Sequence, residues 1–136
     1  MILAIDDDSG RFDHLRRLLE ARDVELFVVA CPYCVAANLP RASGVLLDYD
    51  LDSGEPCPYC FASYGVWAHA AKGIHHVPAL AARRVPVVVT SASYPENVSR
   101  LCAALRDAGV LHAQHRATDV DPEVRWIGAL WAMGAL

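Results

Sequence analysis

Three polar clusters, far apart in the sequence, each follow directly after a short apolar run. Asp6-Asp7-Asp8 follows ILAI, Asp48-Tyr49-Asp50 follows GVLL, and Thr90-Ser91 follows VPVVV. Carboxylates that lie together repel each other and stay ionised at low cost only when a cation joins them. Carboxylate oxygens are hard ligands that favour Mg²⁺ or Mn²⁺. If the clusters meet in the fold, they could hold a divalent cation.

Such a site could perform chemistry on phosphorus. A carboxylate facing the metal could act as the nucleophile, while the metal neutralises charge on the transferred group and a nearby hydroxyl binds its oxygens. We expect Asp6, Asp7 and Asp48 to form this site together. We expect Asp8 and Asp52 to be solvated turn residues.

The tetrapeptide CPYC occurs twice, at 31–34 and 57–60, with 22 residues between the two copies. A CxxC turn places two thiolates on one side of the chain, and two such turns can complete a tetrahedral site suited to Zn²⁺. The spacing therefore predicts a metal site formed by Cys31, Cys34, Cys57 and Cys60.

Other interpretations of the cysteines stay open at this point. Mixed sites could include His69, His75 or His76, and CPYC is also typical of glutaredoxin-type redox sites. Each pair could form its own disulfide on oxidation, or the thiols could be unliganded. Cys102 falls on the apolar face of a predicted helix and is expected to be a core residue.

The hydrophobic pattern predicts the elements that must position these residues. Five short apolar runs predict strands at 2–5, 25–30, 44–48, 85–90 and 110–114. Helices are predicted after Ser9, over 65–73, from Pro95 to Gly109, and from Asp121 to the C-terminus. The stretch 31–41 is predicted as a loop or short helix, 49–64 as a loop, and 79–84 as a further turn.

Strands that alternate with helices predict an α/β fold with a parallel sheet covered on both faces. In such sheets the reactive groups collect at the carboxyl ends of the strands. The three polar clusters all fall at such ends, so the pattern predicts that they converge on one edge of the sheet.

The composition indicates one folded domain. The chain has 136 residues, of which 54% are hydrophobic and 21% charged, and this excludes a disordered tail. The net charge of −4 argues against binding to the nucleic-acid backbone. No apolar run reaches the roughly 18 residues that a membrane span needs. Because the N-terminus turns acidic at Asp6, we expect no signal peptide and a cytoplasmic location.

The segment ILAIDDDSGRFDHLRRLLEARDVELFVVA resembles the first βαβ unit of receiver domains of two-component response regulators. The endings LLD and VVVTSA of the third and fourth predicted strands continue the likeness over nearly the whole chain. The resemblance implies that Asp6 and Asp7 hold Mg²⁺ and that Asp48 accepts a phosphoryl group from a histidine kinase or phosphotransfer protein. Asp50 would offer its backbone carbonyl to the metal, and Thr90 would be the switch hydroxyl.

The resemblance also implies a flavodoxin-like strand order, 2-1-3-4-5, in a single domain of residues 1–136 with an extended loop at about 51–64. Strands 2 and 3 then flank strand 1, with ends roughly 10 Å apart, so their loops can bring the two CPYC motifs together. Ser91 is a candidate cofactor-binding residue. Where receivers carry a lysine, Arg116 lies nearest and could supply the positive charge. A homodimer could form through the last helix, which carries Trp126 and Trp131.

Other functions stay open. LDYDLDSG is similar to the LDHDLG ending of a receiver-like sub-family proposed to process cyclic phosphates, which implies a phosphoesterase acting on cyclic or linear phosphates. The paired acids at 6–8 and 48–50 also fit the nucleophile motif of haloacid dehalogenases. A pseudo-receiver, a binding module whose acidic edge takes no phosphate, is the remaining alternative.

Overall fold

The computed structural model describes residues 1–49, 56–68, 72–90, 94–114 and five positions near the C-terminus, 128, 130, 131, 133 and 134. Within these residues, the strands are β1 (Ile2–Ile5), β2 (Leu26–Val29), β3 (Gly44–Leu47), β4 (Val87–Val89) and β5 (His112–Gln114). They form one parallel sheet in the order β2-β1-β3-β4-β5. The predicted α/β fold and strand order are confirmed.

Short helices connect the strands. They are α1 (Asp13–Glu20), α2 (Pro32–Asn38), α3 (Pro58–Tyr64), α4 (Val77–Arg83) and α5 (Pro95–Asp107). A 3₁₀-helical turn, Ser9–Phe12, precedes α1, and another, Gly73–His76, precedes α4. None of the described helices combines the length and the apolar character needed to cross a membrane.

The core has two layers, one on each face of the sheet. Alternate residues of β1 point to opposite faces, because the side-chain period of a strand is two. Leu3 and Ile5 join the layer that contains residues of α2 to α5, whereas Ile2 and Ala4 join the layer that contains α1. Burial on both faces explains why β1, β3 and β4 are continuous apolar runs in the sequence.

The predicted helix over 65–73 is wrong in its described part. Helix α3 lies earlier, in the segment predicted as a loop, because Pro58 is at the first helical position after Cys57. Gly65 then ends α3 in the left-handed conformation, with φ 63°. Gly73 begins a 3₁₀-helical turn instead of ending a helix, and the turn predicted at 79–84 is helix α4.

The helix predicted from Asp121 is only partly covered. Its start and Trp126 lie outside the described residues. Leu130 and Trp131 are helical, and Leu130 is buried with Met133 against the α1 layer of the core.

Candidate functional site

The strands end in register, and this places three side chains at one edge of the sheet. β1, β3 and β4 pair so that the residues following them, Asp6, Asp48 and Thr90, lie next to one another. Backbone hydrogen bonds extend the ladder by one step. The Asp48 N–H donates to the Ile5 carbonyl at 3.1 Å, and the Thr90 N–H donates to the Leu47 carbonyl at 2.9 Å. The predicted convergence of these clusters is therefore present.

Asp6, Asp7 and Asp48 form what we call the acidic site. Each offers a carboxylate oxygen, and these oxygens lie within 4.8 Å of one another. Asp6 and Asp48 are buried and Asp7 is half-buried. Burial and the neighbouring Asp48 carboxylate raise the pKa of Asp6 to about 7, although the Arg11 guanidinium acts to lower it. A cation bound between these carboxylates would reduce their mutual repulsion and favour their ionised form.

Thr90 brings a hydroxyl to the same edge. The residue is 1% exposed, and its Oγ1 has no hydrogen-bond partner among the described residues. A buried hydroxyl without a partner costs free energy, so such groups call for an explanation. A phosphoryl oxygen bound at the acidic site could accept this hydrogen bond.

Arg11 enters the acidic site from the turn Ser9–Phe12, a role that the sequence pattern does not predict. Its Nη1 lies 2.6 Å from Asp6 Oδ2 and 3.8 Å from Asp48 Oδ2. Its Nη2 donates to the backbone carbonyl of Thr90. The available signal was a basic residue five positions after Asp6 in the loop that follows β1.

Gly73 supports the backbone of the acidic site, and it is a second residue whose role the sequence pattern does not predict. Its N–H donates to the Tyr49 carbonyl at 3.0 Å. A Cβ at this position would overlap the Asp48 carbonyl oxygen and would lie 3.0 Å from the Tyr49 Cα. Only glycine leaves room for the backbone of Asp48 and Tyr49.

Three predicted site residues lie outside the described part of the chain. They are Asp50, Ser91 and Arg116. Their roles as metal ligand, cofactor-binding residue and positive charge stay predictions.

Cys31, Cys34, Cys57 and Cys60 meet in what we call the cysteine cluster. Their sulfurs lie within 4.8 Å of one another, and all four residues are buried. The Cys60 Sγ is 3.1 Å from that of Cys34 and 3.7 Å from that of Cys31. The two CPYC motifs therefore share one site, as their spacing predicts, and none of the four cysteines forms a disulfide.

Local backbone structure favours the thiolate form at part of this cluster. The Ala30 N–H donates to the Cys57 Sγ at 3.2 Å, and the Cys34 N–H donates to the Cys31 Sγ at 3.4 Å. Burial acts to raise the pKa of Cys57, but backbone N–H groups of Cys60, Ala30 and Cys31 outweigh it and lower the pKa to about 7. Burial and thiol neighbours raise the pKa of Cys34.

A cavity of about 450 Å³ opens beside the cysteine cluster. Cys31, Cys34 and Cys60 contribute to its wall together with Tyr59 and Tyr64. The rings of Tyr59 and Tyr64 meet edge to face, with centroids 5.8 Å apart. The cluster is thus enclosed by protein on one side and reachable through this cavity on the other.

Comparison with known proteins identifies the fold. No protein-family model and no curated protein matches the sequence. A CheY-like response regulator receiver domain protein from Methanospirillum hungatei JF-1 matches with a TM-score of 0.62 and 16% identity, over 98% of this chain and 93% of that one. This chain has the receiver fold. At this identity the likeness shows the fold alone.

Two further solved structures show the same receiver fold. A two-component response regulator from Clostridium difficile matches with a TM-score of 0.65 and 11% identity, over 98% of this chain and 94% of that one. A response regulator protein from Burkholderia pseudomallei, solved with a phosphorylated aspartic acid, a calcium ion and citrate, matches with a TM-score of 0.65 and 14% identity. The match covers 97% of this chain and 65% of that protein.

Proposed function

We propose that the chain is a receiver-like signalling domain in which Asp48 accepts a phosphoryl group in the presence of Mg²⁺. The observation that carries the proposal is the approach of the Asp6, Asp7 and Asp48 carboxylates to within 4.8 Å at the ends of adjacent strands. The receiver fold supports it, and the Burkholderia pseudomallei neighbour carries a phosphorylated aspartic acid and a calcium ion.

The donor set of the acidic site fits Mg²⁺. It consists of carboxylate oxygens, which hard cations prefer, and burial together with the Asp48 carboxylate raises the pKa of Asp6 to about 7. Asp6, Asp7 and Asp48 would hold the ion, with the backbone carbonyl of Asp50 as a further ligand. When bound, the ion would neutralise charge on the phosphoryl oxygens.

The proposed donor is a phosphohistidine of a histidine kinase or phosphotransfer protein. An Asp48 carboxylate oxygen attacks phosphorus, so that a P–O bond forms while the P–N bond breaks. The electron pair of the P–N bond stays on the imidazole nitrogen, which takes up a proton from solvent. The Thr90 hydroxyl would then donate a hydrogen bond to a phosphoryl oxygen, and Arg116 would supply a positive charge.

The proposed function also covers the location of the domain and its self-association. We propose a single domain of residues 1–136 that works in the cytoplasm and relays the signal through Thr90. Self-association through the last helix is part of this proposal, since Trp131 on that helix is 68% exposed.

Incubation with Mg²⁺ and either acetyl phosphate or beryllofluoride tests this function. The wild-type protein should form a stable adduct, and Asp48→Asn should not. Asp8→Asn is the matched control, because Asp8 is an exposed acid in the loop that carries Asp6 and Asp7. Turnover of a cyclic or linear phosphoester without a stable adduct would favour the phosphoesterase, and no response to Mg²⁺ would favour a pseudo-receiver.

We also propose that the cysteine cluster holds one structural metal ion, with Zn²⁺ as the best fit. Four thiolates at Zn–S distances of about 2.3 Å have sulfurs about 3.8 Å apart, and the cluster has separations of 3.1 and 3.7 Å. A single ion fits this spacing better than an iron–sulfur cluster, which needs more room between its cysteines. The neighbouring cavity offers an entry path.

Elemental analysis of the purified protein tests the structural metal. The wild-type protein should carry one equivalent, and Cys57→Ser or Cys60→Ser should lose it. Cys102→Ser is the matched control, because Cys102 lies on α5 outside the cluster. Metal-free wild-type protein in which all five thiols titrate freely would contradict the proposal.

A further inference from the structure

Arg11 places a positive charge inside the acidic site. Its guanidinium contacts Asp6 Oδ2 at 2.6 Å, lies 3.8 Å from Asp48 Oδ2, and donates to the Thr90 carbonyl. The side chain is 19% exposed. A single side chain therefore links the ends of β1, β3 and β4.

The surroundings of Arg11 hold it in this position. The Arg11 guanidinium carbon lies 5.7 Å from the centre of the Phe12 ring, a distance suited to a cation–π contact. Phe12 is itself buried in the core beside α1. The short turn Ser9–Phe12 thus directs Arg11 back over the end of β1.

Arg11 and a divalent cation need the same oxygens. Asp6 Oδ1 already accepts the Asp8 N–H at 2.9 Å, and Asp6 Oδ2 is paired with Arg11. An ion bound by Asp6 and Asp48 would lie close to the guanidinium, and positive charges repel strongly at short range in a partly buried site. Arg11 and the ion therefore exclude each other in this arrangement.

We propose that Arg11 is an internal competitor of Mg²⁺. It offsets part of the negative charge of the acidic site in the resting protein and withdraws from Asp6 when the ion binds. Because the same guanidinium donates to the Thr90 carbonyl, its withdrawal also breaks that hydrogen bond at the end of β4. This inference rests on the proposed function, since it assigns control of the same site.

Calorimetric titration with Mg²⁺, at one pH and ionic strength, tests the competition directly. Arg11→Met should bind Mg²⁺ about tenfold or more tightly than the wild-type protein, because the competing charge is gone. Arg17→Met is the matched control, since it removes the same charge from an exposed position on α1 and should leave the affinity unchanged. Equal or weaker affinity in Arg11→Met would overturn the inference.

A second variant keeps the test valid if Arg11→Met does not fold. Arg11→Lys retains a charge but cannot span Asp6 and the Thr90 carbonyl with two N–H groups. Mg²⁺ should raise its unfolding midpoint more than that of the wild-type protein, because a ligand that binds the native state more tightly stabilises it more. An equal shift would overturn the inference.

The beryllofluoride adduct of the wild-type protein separates the two proposals. If the adduct forms and the Arg11 variants bind Mg²⁺ like the wild-type protein, the proposed function stands and Arg11 has no competing role. If neither the wild-type protein nor Arg11→Met binds Mg²⁺, the acidic site is not a Mg²⁺ site and both proposals fall.

Discussion

The backbone of Asp48 and Tyr49 packs directly on Gly73. The position of the proposed phosphoacceptor therefore depends on a residue that has no side chain to take part in the reaction. The Gly73 N–H donates to the Tyr49 carbonyl, and a Cβ there would lie 3.0 Å from the Asp48 carbonyl carbon. The obstructing atoms are backbone atoms, which cannot rotate away as a flexible side chain could.

Gly73→Ala should lower the free energy of unfolding by about 1–3 kcal/mol, because the added methyl group forces the backbone apart. Urea denaturation measures this change. Gly10→Ala is the control, since a Cβ at Gly10 would meet only Asp8 Oδ1, at an ordinary 3.5 Å. Equal stability of the two variants would contradict the packing argument.

Substitution of Thr90 should affect the free energy of unfolding and the affinity for beryllofluoride in different ways. Thr90→Val should leave the free energy of unfolding unchanged or raise it by up to about 1 kcal/mol, because the valine removes a buried hydroxyl that lacks a partner in the described structure. Its affinity for beryllofluoride should fall by about tenfold or more, the value of one hydrogen bond to a charged group. Thr90→Ser should restore the affinity. Normal beryllofluoride binding by Thr90→Val would contradict the role of the hydroxyl.

Sequence could predict the acids and the threonine but not the residues that surround them. Asp6, Asp48 and Thr90 each follow an apolar run, and the sheet alone brings strand ends together. Arg11 reaches the site because of the path of one short turn, and Gly73 matters because a distant segment packs on it. Both depend on tertiary contacts that a local pattern does not contain.

At the scale of elements, the two CPYC motifs show what the sequence pattern contained and what was missed. Each motif begins a helix with its first cysteine at the N-cap and its proline at the first helical position. The sequence predicts a loop or short helix for the first motif, and α2 confirms the helix. For the second, the nearby glycine and prolines favoured a loop, although the same four residues adopt the same local structure.

Helix α5 packs against the sheet beside β4 and contributes buried residues to the core. Leu101 on this helix is 0% exposed, whereas Leu111, before β5, is 79% exposed. Leu101→Ala should lower the free energy of unfolding by about 2–5 kcal/mol, and Leu111→Ala should change it by no more than about 0.5 kcal/mol. Chemical denaturation compares the two truncations, and similar losses would contradict the described packing of α5.

At the scale of the whole molecule, the cysteine cluster and the acidic site share one edge of the sheet. Cys31 follows β2, Asp6 follows β1, and these strands are neighbours. The cluster also joins α2 to α3, whose sequences are separated by β3. A metal ion at the cluster would therefore connect segments that the sheet alone does not hold together.

Removal of the proposed metal should destabilise the entire domain. A strong chelator should lower the unfolding midpoint by at least about 5 °C, and added Zn²⁺ should restore it. Differential scanning calorimetry measures both steps. Cys102→Ala should respond like the wild-type protein, and Cys57→Ser should not respond to the chelator. If the metal-loaded wild-type protein keeps the same unfolding midpoint after the chelator is added, the metal ion has no structural role.

The central claim is that Asp48 is the phosphoacceptor. Its most direct test is to incubate the protein with acetyl phosphate and Mg²⁺, reduce any acyl phosphate with borohydride, and locate the reduced residue by peptide mass spectrometry. The account predicts a Mg²⁺-dependent modification at position 48 that is absent from Asp48→Asn. Modification at a different residue, or none in the presence of Mg²⁺, would contradict it.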